Sequence, residues 1–366
     1  MTLVGYVRGD FGVAENLRSV AGCLKKVSYP YDIYEVDAGD TYSKTNNNFS
    51  DLVTNFSNKR IQLYCVNADQ LLNTQKKLGA NKTSGTYRIG YWFWELSNFP
   101  SNWMHAFDLV DEVWAPSKFI FDSLSKATTK PVVYMPVAVD FQMQAKYSRN
   151  YFKLPQNSFL FLVSFDFHSF SERKNSEAVI QAFQNAFSSE NENVGLVIKT
   201  IYGEKHPEKY TKLLDLAKND ARIIVVNSAL KRDEMYGLID VCDCYVSLHR
   251  SEGFGLGIAE AMYLSKPVIV TAYSGNMDFT NQDTSCLVEF DLVEVALGNY
   301  PFWQGQYWAE PNINQASEYM VKVYSDSKFR NNMSFHAKSL VEQQHSHAVV
   351  GNYMRTRLSE ISSLKS

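Results

Sequence analysis

Ser251-Glu252-Gly253-Phe254-Gly255-Leu256-Gly257-Ile258-Ala259-Glu260-Ala261-Met262 decides how this chain is read. The apolar run Cys244-Tyr245-Val246-Ser247-Leu248 precedes it, and Pro267-Val268-Ile269-Val270 follows. That order predicts a strand, a glycine-rich turn, a helix from about Gly255 and a second strand. Unpaired N–H groups at a helix start carry the positive end of the dipole and suit a phosphate or a hydroxyl. Glycine lets a ligand approach the backbone because no side chain intervenes. Glu252 falls in the turn and Glu260 more than one turn into the helix, so both carboxylates border one crevice at the carboxyl end of a sheet. A carboxylate pair repels phosphate and attracts hydroxyls. Together with the cradle of amides it reads as a nucleotide-sugar site; an ordinary αβ loop with a solvated Glu252 is the plainer alternative.

The Gly/Phe/Gly/Leu setting of Glu252 and Glu260 resembles the donor-site signature of retaining family-4 (group-1) glycosyltransferases of the GT-B fold, of the bacterial surface-polysaccharide type. The resemblance implies an α/β protein of two doubly wound Rossmann-like domains facing across a cleft. It also implies that Glu252 meets the donor sugar, that Glu260 holds the ribose hydroxyls, and that Gly253, Phe254, Gly255 and Leu256 line the donor.

A chain of 366 residues is too long for one ordinary core and fits two domains. Hydrophobic content of 45% and charged content of 20% are those of a soluble globular protein. A net charge of −3 argues against a nucleic-acid partner. No run approaches the ~20 apolar residues of a membrane span, and Met1-Thr2-Leu3-Val4-Gly5-Tyr6 lacks a signal-peptide pattern, so a cytoplasmic location is expected. The five cysteines are scattered, and Cys242-x-Cys244 has no second pair at ligand spacing, which favours reduced thiols over a metal site. Aromatic clusters at Tyr91-Trp92-Phe93-Trp94 and from Phe302-Trp303 to Tyr307-Trp308 serve either sugar stacking or a core.

Strand-like and helix-like segments alternate. Leu3–Val7 reads as a strand and Val13–Lys25 as an amphipathic helix with apolar positions 13, 17, 20 and 24. Further strands are expected at Ile61–Val66, Arg88–Phe93, Glu112–Trp114 and Val132–Met135, and the Asn-rich stretch 43–50 reads as a surface loop. A second αβ series begins with the continuous apolar run 158–163, as in a strand buried on both faces. Alternation of this kind implies parallel sheets. The expected domains are 1–148 on the acceptor side, 149–345 for the donor, and a C-terminal helix, 346–366, which by resemblance crosses back to the first domain.

Ser171-Glu172-Arg173-Lys174-Asn175 reads as the turn after the first strand of the second domain, with Asn175 or Ser176 capping the next helix. Arg173 and Lys174 there would neutralise a leaving diphosphate without a metal; a solvated basic turn is the alternative. The family's usual G-R-L turn is replaced by Phe165-Asp166-Phe167-His168-Ser169, which leaves Lys174 the closer match. Gly9-Asp10-Phe11-Gly12 matches the first-domain glycine loop by position, making Gly12 a donor-side candidate. Gly90 to Leu96 has no histidine where many relatives carry one, so Trp94 and Glu95 are the acceptor or sugar candidates. His168 has no partner at metal-ligand spacing and reads as structural or exposed. Asp140, in a turn resembling the family's domain junction, has a structural task, and Ser274-Gly275-Asn276 is either a second donor loop or a simple turn.

These readings converge on a retaining, metal-independent hexosyltransferase. Glu252, Arg173 and Lys174 are its catalytic candidates, and no cofactor is expected beyond the GDP- or UDP-hexose substrate. By resemblance the acceptor is a glycan or polyprenol-linked glycan, with peripheral contact at the inner membrane, and closure of the domains would dry the cleft. A nucleotide-sugar epimerase or hydrolase of the same architecture, and a non-catalytic sugar-nucleotide-binding subunit, are the rivals.

Overall fold

The structure, a computed structural model, describes residues 1–37, 44, 46, 48–54, 59–188 and 193–363. The Asn-rich stretch 43–50 lies partly outside them. The chain forms two compact units, Met1–Asp140 with Glu342–Ser366, and Phe141–Val341. The division comes ahead of residue 148 because Tyr147 is already committed to the second unit. Its hydroxyl bonds Asp233 at 3.1 Å, and its ring fills the space where a Cβ on Gly237 would stand.

In the first unit β1 (Thr2–Gly5) leads through a loop into α1 (Gly12–Lys26), followed by β2 (Asp32–Glu35), β3 (Ile61–Cys65), α2 (Ala68–Leu78) and α3 (Ala80–Thr83). Then come β4 (Tyr87–Tyr91), β5 (Glu112–Ala115), α4 (Lys118–Ser125) and β6 (Val132–Tyr134). All six strands pair in parallel in the order β2-β1-β3-β4-β5-β6. Leu17, Val20, Ala21 and Leu24 recur at helical spacing on α1 and are buried on this sheet. The C-terminal helix adds Val350, Met354, Leu358 and Ile361 to the same core. Gly351 permits the approach to α1, since a Cβ there would lie 2.6 Å from the Cys23 carbonyl oxygen. Asp140 receives the His347 backbone N–H at 3.1 Å, which anchors the start of that helix.

The second unit runs β7 (Phe159–Asp166), α5 (Ser171–Lys174), α6 (Ser176–Ala186), β8 (Val194–Ile201), α7 (Pro207–Ala217) and β9 (Ile223–Asn227). It continues α8 (Arg232–Val241), β10 (Cys244–Ser247), α9 (Leu256–Tyr263), β11 (Val268–Thr271) and β12 (Cys286–Val288). A hairpin of β13 (Phe290–Glu294) and β14 (Tyr307–Pro311) precedes α10 (Ile313–Ser325) and α11 (Ser327–His345), and the C-terminal helix is α12 (His347–Ser363). The parallel order is β12-β11-β10-β7-β8-β9. Connections leave β7 in one direction towards β8 and β9, and the later strands fill the other side. The strand order therefore reverses between β7 and β10, and a crevice opens at their carboxyl ends. The loops on either side of that crevice carry Lys174 and Glu252.

Candidate active site

β10 ends at Ser247 and α9 opens at Leu256 with Gly255 as its N-cap. Gly255 has φ +93°, a left-handed conformation that glycine adopts without strain and that turns the chain into the helix. The Phe254 ring is buried against Phe279, with centroids 4.9 Å apart, so its backbone alone is available to a donor. Gly275 fixes the loop from below. Its N–H donates to the Glu252 carbonyl at 2.9 Å, and a Cβ on it would stand 2.1 Å from the Gly253 oxygen. The Glu252 N–H donates to the Ser274 hydroxyl at 2.8 Å. Ser274-Gly275-Asn276 is thus the support of the Glu252 loop.

Across the crevice, Ser171–Lys174 is a one-turn helix rather than the expected turn, bounded by Phe170 and Asn175 at φ +63° and +54°. Non-glycine residues held there cost roughly 1–3 kcal/mol each and cluster at functional sites. Asn175 does not cap α6 with its side chain, because its left-handed backbone turns it away from that geometry. Lys174 Nζ donates to Glu252 Oε1 at 2.5 Å. Arg173, the other residue expected to face a diphosphate, is packed into the Glu252 loop. It is only 4% exposed, and its Nη1 donates to the Ser251 carbonyl at 2.7 Å and lies 3.2 Å from Glu252 Oε2. Burial pushes the Glu252 carboxyl up, but Lys174, Arg173 and the nearby His249 outweigh it and hold its pKa at about 2. The site therefore presents a fixed anion with one partly open cation, Lys174, beside it.

Glu260 is buried one turn into α9 and forms an ion pair with Arg232, the first residue of α8. Arg232 lies over the Tyr236 ring at 4.7 Å, which in turn stacks on Phe141 at 3.6 Å.

The family described as Glycosyl transferases group 1 matches residues 155–340, just over half of the chain. The chain belongs to that family. No curated protein matches it in sequence. Among solved structures, this group 1 glycosyl transferase resembles Anabaena Alr3699/HepE in complex with UDP and glucose at 13% identity. The likeness covers 98% of this chain and 99% of that one, with a TM-score of 0.69. It resembles a glycosyltransferase from Rickettsia africae ESF-5 at 16% identity over 98% of both chains, TM-score 0.70. It also resembles sucrose-phosphate synthase from Thermosynechococcus elongatus at 12% identity over 99% of both chains, TM-score 0.71. Its fold is GT-B, with two parallel-sheet Rossmann-like domains.

In the first unit of this glycosyl transferase, Gly12 is the exposed first residue of α1, and no atom lies within 4 Å of where its Cβ would be. The loop before it is tied down by Arg18, which donates to the Val7 and Gly9 carbonyls at 2.8 Å each. Trp94 corrects the reading of an acceptor-facing ring. It is buried, donates Nε1 to the Asn98 carbonyl at 2.8 Å, and packs edge-on to Trp103. Trp92, Phe99 and Phe107 complete a hydrophobic cluster, so the dense aromatics here build a core. Glu95 is half-buried in the loop after β4.

Three groups escaped the sequence reading. His168 is not alone: its Nδ1 and the Nε2 of His206 are 2.8 Å apart, and Asp166 accepts the His168 backbone N–H at 2.8 Å. His249 is fully buried between Ser247 and Asn276, and burial pushes it below the ordinary histidine value. Its position three residues ahead of Glu252 was the available signal. Arg232 gave none, because its contact with Glu260 joins two different loops. The described cysteines are all free and buried, and no group of three or more His, Cys, Asp or Glu among the described residues is placed to hold a metal. No helix among the described residues is long and apolar enough to cross a membrane.

Proposed function

We propose that this group 1 glycosyl transferase moves a hexose from a nucleoside-diphosphate sugar to a hydroxyl of a glycan or lipid-linked glycan, retaining the anomeric configuration. The observation that carries the proposal is the anchored Glu252. A carboxylate kept ionised at the topological switch point, 2.5 Å from Lys174, supplies the charge pair that donor cleavage needs. Lys174 takes the diphosphate, and the backbone amides at the start of α9 share its charge. Arg173 acts through the loop as a positioning residue, because its Nη1 holds the Ser251 carbonyl and lies beside Glu252. Glu252 faces the sugar and stabilises positive charge developing at the anomeric carbon. The bond from that carbon to the phosphate oxygen breaks, a bond to the acceptor oxygen forms on the same face, and the departing phosphate takes the acceptor's proton. Glu260, shared with Arg232, receives the ribose hydroxyls.

A UDP-hexose is proposed ahead of a GDP-hexose, because the HepE structure it resembles is described with UDP and glucose. Reaction without a metal ion, and peripheral action at the cytoplasmic face of the inner membrane on a lipid-linked acceptor, belong to the same proposal. Thermal shift against UDP-, GDP- and dTDP-sugars identifies the donor, since a ligand of the native state raises apparent stability. Labelled donor and anomeric NMR of the product, with and without EDTA, then test the reaction. Donor consumed with no sugar transferred, or returned as an epimer, sinks the proposal in favour of the hydrolase or epimerase.

A further inference from the structure

The β13–β14 hairpin lies outside the parallel sheet, yet it is bolted to the donor loops. The Ala309 N–H donates to the Arg250 carbonyl at 2.9 Å, two residues before Glu252. Arg250 answers with a bidentate pair to Glu310 at 2.7 and 3.0 Å, and its guanidinium lies over the Trp308 ring. From the loop joining the two strands, Tyr300 packs against Phe170 at 4.9 Å and against the Arg173 guanidinium at 5.9 Å. Motion of the hairpin is therefore tied to both sides of the candidate site.

Its outer part is apolar and open. Leu292 is 58% exposed, Leu297 78% and Tyr307 48%. The antiparallel register pairs Glu294 with Tyr307 and Leu292 with Ala309, so Leu292, Glu294 and Tyr307 share one face. An aromatic ring directly across from a carboxylate, with an aliphatic neighbour on the diagonal, is a surface on which a sugar ring can stack while its hydroxyls donate to the acid. Charge narrows the occupant further. Residues 286–321 contain no lysine or arginine, and beside Glu310, which Arg250 neutralises, they carry four acidic residues, Glu289, Asp291, Glu294 and Glu318. Such a surface repels nucleic acid and anionic lipid headgroups, which need a basic patch. Phe302, in the connecting loop, is held at φ +52°, a conformation unusual for a bulky side chain.

We infer that this hairpin is a saccharide-docking surface that receives an uncharged segment of the acceptor glycan next to the Glu252 site, with Tyr307 and Leu297 as apolar contacts and Glu294 as hydroxyl acceptor. The inference rests on the transferase reading above and adds, on the unit expected to hold the donor, a surface for an outlying segment of the acceptor. The test uses the whole chain with UDP and an array of immobilised neutral oligosaccharides of four to six hexose or N-acetylhexosamine units. Wild type retains a subset of the array; Tyr307→Ala and Leu297→Ala lose at least roughly tenfold in affinity for that subset, comparable to one aromatic contact. Their UDP affinity and melting temperature stay at the wild-type values, because both side chains are open to solvent. Glu294→Gln weakens binding less, since the amide keeps one acceptor oxygen. Absence of glycan retention by a wild type that binds UDP overturns the inference, as do variants that retain glycan like wild type. A dimer in light scattering that Leu297→Asp dissociates without affecting glycan retention would assign the face to a second copy, which also overturns it. Failure of UDP itself to bind counts against the donor reading, and glycan retention is scored separately.

Discussion

Replacing Glu252 by Gln keeps the side chain's size and one acceptor oxygen while deleting the charge that Lys174 and Arg173 share. Burial alone would raise this carboxyl, and the two cations bring it from the ordinary 4.5 to about 2. A folded-state pKa below the unfolded one contributes stability above pH 4.5 that is lost as pH falls towards 2. The gap corresponds to roughly 3 kcal/mol at neutral pH, of which about two fifths is gone at pH 3.5. Glu252→Gln should therefore lower stability by about 3 kcal/mol at pH 7 and by about 2 kcal/mol at pH 3.5. Transfer should fall by ~10²–10³, whereas UDP should bind no more weakly, because Lys174 is released from its carboxylate. Urea unfolding at the two pH values, titration calorimetry with UDP, and turnover with donor and acceptor measure the three effects. A stability loss independent of pH would refute the electrostatic account of Glu252. Weaker UDP binding would remove Lys174 from the phosphate.

Glu260→Ala deletes the acceptor assigned to the ribose and should cost roughly 1.5–3 kcal/mol in UDP binding by calorimetry; unchanged affinity would return Glu260 to a purely structural pair with Arg232. Lys199 is buried, donating to the Thr200 and Ser228 carbonyls, and burial lowers its pKa to about 8 against the opposing pull of Asp166. The folded state then releases this proton before the unfolded state does, so urea stability should rise between about pH 8 and pH 10.5, a rise that Lys199→Met abolishes. Gly275→Ala drives a Cβ into the Gly253 carbonyl and should cost roughly 3 kcal/mol or more, read as a fall in melting temperature together with loss of UDP affinity.

Strands such as Phe159–Asp166 and Val194–Ile201 were legible because parallel strands buried on both faces read as unbroken apolar runs. Strand β2 was missed: Asp32-Ile33-Tyr34-Glu35 is short and acid-flanked, and pairing with β1 decides it. The β13–β14 hairpin was missed for a related reason. Its two strands are separated by a long loop, and Phe290-Asp291-Leu292-Val293-Glu294 mixes charge with apolar residues as an edge does. At the candidate site, the placement of Glu252 in the turn and Glu260 in the helix followed from the glycine-rich turn between two apolar runs. The partners did not. Lys174 with Glu252, Arg232 with Glu260, and His168 with His206 each join segments at least 28 residues apart, and no local periodicity reports such a contact. Trp94 shows the opposite failure, since aromatic density does not distinguish a ring that faces a sugar from one that fills a core.

The return of α12 to the first unit sets an order on synthesis. Phe141–Val341 is one continuous stretch, complete as soon as residue 341 has left the ribosome. The first unit is made earlier yet stays unfinished, because Leu17, Val20 and Leu24 on α1 share their core with Val350, Met354, Leu358 and Ile361. At ~5–20 residues per second, roughly 10–45 s separate the emergence of residue 140 from that of residue 361. Through that interval one side of α1 has no cover, a natural point for a chaperone to engage. Among the two halves of this molecule, the one encoded second is the first able to reach its native state.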